Sequence, residues 1–71
     1  MLKIIYTEKG NSYSDFNLLE NAQLILDTYK KSDNNLIIMT STENIILVLR
    51  VLVSRGKLQY NELCIYSMNI I

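Results

Sequence analysis

Between Ile45 and Val53, eight of nine residues are aliphatic and only Arg50 interrupts them. No other stretch limits the fold of this chain as strongly. The run is too short to span a membrane, which takes about 20 apolar residues. It is too apolar to lie bare in water, so something must cover it. At the helical period, Ile45, Ile46, Val48, Leu49, Leu52 and Val53 occupy an arc of roughly 160°, wide enough to rest on a sheet and against a second helix. Leu47 and Val51 fall outside that arc, among Glu43, Arg50 and Ser54. This small ridge reads as an ordinary exposed pair, as a pair buried under another helix, or as a contact with a second chain.

The remaining segments supply the sheet. Leu2 to Thr7 is a short apolar run rich in strand formers. The polar stretch "EKGNSYS" reads as a loop, with Ser14 or Asp15 placed to cap a helix. From Phe16 to Lys31, the apolar positions Leu18, Leu19, Ala22, Ile25, Leu26 and Tyr29 share one arc of roughly 120°. "KSDNN" ends that helix. Leu36 to Met39 is a continuous apolar run, as in a strand covered on both faces. "TST" offers N-caps in Thr40, Ser41 or Thr42, and Glu43 suits the first turn of the next helix. That helix should run to Ser54 or Arg55 and end at a left-handed Gly56. "QYNE" reads as a turn, and Leu63 to Met68 is the third strand.

The pattern predicts an α/β fold over residues 1–71 as one small domain. It is a three-layer-derived βαβαβ unit, with a three-stranded parallel sheet and two helices on one face. Apolar residues of both parities on the strands then leave the other face bare, which is unusual for a parallel sheet in water. The docking surface expected from this comprises Ile4, Tyr6, Ile38 and Ile65 on the sheet, with Leu47, Arg50 and Val51 on the second helix.

Composition narrows the function. The 71 residues carry seven basic and seven acidic side chains and no histidine. Binding through phosphates usually needs a basic excess, so no nucleic-acid partner is expected. A lone cysteine, Cys64, and the lack of imidazoles argue against a metal site or a disulfide framework. Cys64 sits in an apolar strand with nothing to activate it and reads as an inert buried thiol. Tyr6, Tyr29 and Tyr66 read as structural, whereas Tyr13 and Tyr60 lie in loops and suit an interface. The opening "MLKIIYTEKG" is too weakly apolar for a secretory signal. A cytoplasmic chain with a reduced thiol is expected, with no cofactor and no membrane contact.

"IIMTSTENIILVLRVLVSRGKL" followed by "NELCIYSM" resembles the late part of ABC/SMC-like AAA ATPases. These include the predicted ATPases related to overcoming-lysogenization-defect nucleases. In that family a strand ends in Thr-His-Ser-Glu. A helix of Leu and Arg follows, then a Glu-Gly-Lys-Leu-like turn and a strand reading roughly Val-Ala-Ile-Tyr. The likeness runs through Ile37–Met39, Thr40, Glu43, Leu49, Arg50, Gly56, Lys57, Leu58, Ile65 and Tyr66, from about Leu36 to Met68. Upstream, "KIIYTEKG" resembles a decayed Walker B strand. By this resemblance, Thr7 stands at the acid that holds Mg²⁺ and Glu8 at the acid that activates water. Lys9 and Gly10 replace Pro and Glu, and Ser41 stands where the switch histidine would be. No Gly-x-x-x-x-Gly-Lys-[Ser/Thr] stretch occurs in these residues. The parts that position and stabilise a transferring phosphoryl group are therefore missing.

Glu8 then reads as a solvated residue at a strand end, and Thr40, Ser41 and Thr42 as capping residues. The expected function is a non-catalytic protein-interaction module resembling a fragment of an ABC-type ATPase. In its specific form it is a mobile-element or phage inhibitor of a defence or repair ATPase complex. In the family, the P-loop strand lies between the switch strand and the one after it. The sheet should therefore be either re-knit or open at that slot, ready to accept a foreign strand. Two alternatives stand beside it. One is a homo-oligomeric remnant whose copies cover each other. The other is a residual nucleotide-binding protein using Glu8, Thr40 and Ser41. The partner is thus a protein or a second copy of the chain.

Overall fold

The computed structural model describes residues 1–67, and Met68, expected to end the last strand, lies outside them. Three strands and two helices alternate. They are β1 (Leu2–Asn11), α1 (Leu18–Lys31), β2 (Leu36–Thr40), α2 (Glu43–Ser54) and β3 (Leu63–Ser67). Short 3-10 turns at Asp15–Asn17 and Tyr60–Glu62 lead into α1 and β3. Ser14 caps the first of these turns by accepting from the Phe16 amide, so α1 starts at Leu18 rather than at Phe16. Phe16 itself stands 97% exposed.

Both helices stop where the sequence signals. After α1, the chain turns through left-handed Asp33 and Asn34. The Asn34 amide returns to the Tyr29 carbonyl at 3.1 Å. After α2, Gly56 takes φ +77°. The Gly56 amide donates to the Val53 carbonyl and the Lys57 amide to the Leu52 carbonyl, each at 3.0 Å. This pair of bonds is a Schellman motif, and it satisfies carbonyls that the helix end leaves free.

All strands are parallel, in the order β2-β1-β3. Leu2 registers with Leu36 and Leu63, Ile4 with Ile38 and Ile65, and Tyr6 with Thr40 and Ser67. Neighbours in register point to the same face, so this set forms one face of the sheet. Leu2 and Ile4 are fully buried in the single core, with Ala22, Ile25 and Tyr29 of α1 and Ile45 and Leu49 of α2. Both helices therefore lie on this face.

That arrangement has a cost in handedness. The chain steps from β1 to β2 in one direction, then crosses back over β1 to reach β3. Two crossovers in opposite directions over one face must have opposite hands. One of them is therefore left-handed, against the strong right-handed preference of such units. A pair of right-handed crossovers would have put one helix on each face. Here the two helices share one core instead of lining two thin ones.

Of the two arrangements expected for the sheet, re-knit or open at a slot, the strands take the re-knit one, with β1 bonded on both sides. The outer edges belong to β2 and β3. Leu47 and Val51 stand 48% and 46% exposed, so they are not buried under α1.

One buried polar contact ties α1 to the turn before β3. The Tyr29 hydroxyl, in a residue with 2% exposure, donates to Glu62 Oε1 at 3.3 Å. Glu62 also accepts from the Gln59 amide through Oε2, closing a capping box. Burial raises the Tyr29 pKa above its free value of 10.0, and the Glu62 carboxylate raises it further. The folded state therefore holds this proton longer than the unfolded chain does. Its contribution is complete below pH 10.0 and is lost as pH rises through the folded value. Urea denaturation between about pH 8 and pH 11 should show stability falling more steeply in the parent than in Tyr29→Phe.

Candidate functional site

The carboxyl ends of parallel strands are where α/β sheets usually take their ligands. Thr7–Gly10 and the hydroxyl run Thr40–Thr42 meet here. β1 does not stop at Thr7 but continues to Asn11, and both Tyr6 and Asn11 partner Thr40. The four residues between them bulge out of the ladder. Gly10 sits directly on the backbone of Thr40, where a Cβ would overlap the Thr40 N, Cα and C atoms. Only glycine allows that approach.

The hydroxyls fasten this arm down. Thr40 Oγ1 donates to the Asn11 carbonyl at 2.8 Å and accepts from the Thr42 amide at 3.0 Å. The Ser41 amide donates to the same Asn11 carbonyl at 3.0 Å. Thr42 holds the N-cap position of α2, but its side chain makes no capping bond. It accepts from the Tyr13 amide at 2.9 Å instead. The expected capping role is therefore corrected. Thr40 and Thr42 bind the β1 extension to the start of α2, and Thr40 and Thr7 are both buried. Glu8 is exposed on the bulge. Among the described residues, no three Cys, Asp or Glu side chains gather closely enough to hold a metal ion.

The other face of the sheet is different in kind. Its two registered rows are Ile37–Lys3–Cys64 and Met39–Ile5–Tyr66. Ile37, Met39 and Tyr66 are 58%, 44% and 46% exposed, while Lys3, Ile5 and Cys64 are half-buried. No element covers this face among the described residues. Cys64 thus belongs to the open face and not to the core. The neighbouring Cys64 side chain raises the Tyr66 hydroxyl pKa above its ordinary value.

The sheet residues expected at the docking surface lie on the face that the helices cover. Ile4 is fully buried, and Tyr6, Ile38 and Ile65 pack half-buried against the same core under the helices. The open face is the set one position along each strand: Ile5, Ile37, Met39, Cys64 and Tyr66. The strands are apolar at both parities, so alternation could not tell the faces apart. The available signal was Lys3, the one charge in register with the apolar rows, which marks the side left to water. On α2, Arg50 is exposed together with Leu47 and Val51. Arg50 and Ile65 meet in an open groove beside β3, lined also by Val53, Tyr60 and Leu63.

Comparison with protein-family models, with curated proteins and with solved structures finds no match. No helix among the described residues is long and apolar enough to cross a membrane.

The seam at Gly10 can be tested directly. Gly10→Ala must push β1 away from Thr40, with only backbone atoms to yield. It should lower the unfolding free energy by about 1–3 kcal/mol. Thr40→Val, which leaves the Thr42 amide without its acceptor, should cost a similar ~1–3 kcal/mol. Urea denaturation of both variants checks the values.

Proposed function

We propose that this chain is a non-catalytic protein-interaction module that docks through the open face of its sheet. The observation that carries this reading is the exposure of Ile37, Met39 and Tyr66 on one face of the sheet, while both helices sit on the opposite face. An apolar sheet face of this kind is a recognised mark of an interaction site. The alternative of residual nucleotide binding through Glu8, Thr40 and Ser41 finds little support. The strand ends it needs are filled by the Gly10 arm, and two of the nearby hydroxyls are spent on backbone groups.

The resemblance to the Walker B and switch segments of ABC/SMC-like ATPases suggests a specific form of this function. A chain that imitates half of a defence or repair ATPase would take its counterpart's place in the complex, as a mobile-element or phage inhibitor would. The partner then recognises sheet and helix surfaces rather than a nucleotide.

The test is quantitative capture from host cells with the parent, Ile37→Asp and Glu8→Gln. A specific partner should be held by the parent and by Glu8→Gln and lost with Ile37→Asp. Equal capture by all three would reject the open face as the docking site. ATP and Mg²⁺ titration followed by amide NMR should leave Glu8–Asn11 and Thr40–Glu43 unmoved. Saturable shifts there would restore the nucleotide reading.

A further inference from the structure

We infer that the open face binds a second copy of this chain, sheet on sheet, about a two-fold axis that runs across the strands. This rests on the interaction-module reading and names the partner. Area, shape and charge on the face point the same way.

Area sets the strength. Ile37, Met39 and Tyr66 are each about half exposed. Side chains of that size then offer on the order of 100 Å² apiece. The half-buried Lys3, Ile5 and Cys64 add on the order of 150 Å² together. Stacking two copies removes roughly 900 Å² in all, just short of the ~1,000 Å² expected of a specific interface. The dimer is therefore weak and depends on concentration. A foreign partner of high affinity would need surface beyond this face.

Shape sets the kind of partner. The face is two short rows on three parallel strands. Another sheet about 10 Å away matches it, with the strands of the two layers within roughly 30° of each other. A second copy brings such a face with the same twist.

Charge sets the axis. Lys3 is the one ionic residue in the two rows, and it lies on the central strand. A two-fold axis along the strands would set Lys3 against Lys3 of the second copy. Like charges placed directly opposite are destabilising. An axis across the strands sets the Lys3 row over the row of Met39, Ile5 and Tyr66. Each Lys3 ammonium can then reach the ring of Tyr66 on the other copy, a cation–π contact made twice by symmetry. The lysine stem meanwhile lies over Ile5.

Sedimentation of the full chain from micromolar to millimolar concentration tests the inference. The mass should rise from 8.2 kDa towards twice that value. Ile37→Asp and Tyr66→Ser should each raise the midpoint concentration by roughly tenfold or more. Both sites are exposed in the single chain, so amide NMR spectra should stay those of the folded protein. Glu8→Gln should leave the midpoint unchanged. In a mixed isotope-labelled sample, filtered NOEs should join the Lys3 side chain to the Tyr66 ring of the other copy. A mass of 8.2 kDa up to millimolar concentration overturns the dimer. That result leaves the capture of a different partner standing as a separate question. A dimer indifferent to both open-face variants overturns the face, and NOEs joining Met39 to Tyr66 across the copies overturn the axis.

Discussion

The shared core between α1 and α2 governs this molecule. Ile45, Ile46, Leu49 and Leu52 on one helix meet Ala22, Ile25, Leu26 and Tyr29 on the other, above Leu2 and Ile4 of the central strand. A chain of 71 residues has few apolar side chains to spend on a core. Divided over two faces of the sheet, they would make two layers, each one helix wide and open at both flanks. Gathered on one face, they give each helix a neighbour as well as a floor. The consequences are a left-handed crossover and a sheet with one side uncovered among the described residues. The two are one choice, because strand order β2-β1-β3 with right-handed crossovers would have covered both sides.

The second governing contact is the seam between Gly10 and Thr40. It lengthens β1 beyond its ladder and folds the extension over the carboxyl ends of the strands. In other α/β sheets those ends are kept open, with a glycine-rich loop and a helix N-terminus offering amides to a ligand. Here the amides of Ser41, Thr42 and Tyr13 go to Asn11, Thr40 and Thr42. The segment Thr40–Thr42 is thus a structural joint. The same residue types serve both purposes, since a threonine that can bind a phosphate or cap a helix can equally bind a carbonyl.

The sequence carried the architecture because each element had its own period and punctuation. The 3.6-residue stripes of α1 and α2, the left-handed Gly56 and the turn residues after Lys31 all act locally, and local signals survive without tertiary context. Strand order was not legible. Nothing in Leu2–Thr7, Leu36–Met39 or Leu63–Ser67 states which strand is central. Face assignment was missed for a related reason. Ile4 and Ile5 are the same residue type, as are Ile37 and Ile38, so only register and the single charge at Lys3 separate the buried set from the open one. The bulge after Tyr6 was invisible because its cause is a backbone contact with Thr40, some 30 residues away in the chain.

An open apolar face is costly for a protein this small, yet polar residues there would not be free of cost either. β1 is the central strand and each of its neighbours is five residues long. Strands this short hold together partly through cross-strand contacts between β-branched and aromatic side chains. On the open face those contacts are Ile37 with Lys3, Met39 with Ile5, and Ile5 with Tyr66. They support the sheet in the single chain and also make it cohesive towards another surface. The two effects cannot be separated by removing the apolar residues, only by placing a charge among them. Lys3 does this on the central strand, where its stem still packs with its neighbours and its ammonium meets any approaching surface first. A lone cation at the centre of an apolar face permits contact, but it discriminates between arrangements. It disfavours those that oppose it with another cation and favours those that offer it an aromatic ring or a hydroxyl. In the proposed dimer, specificity therefore comes from one charge, while the affinity comes from the rows around it.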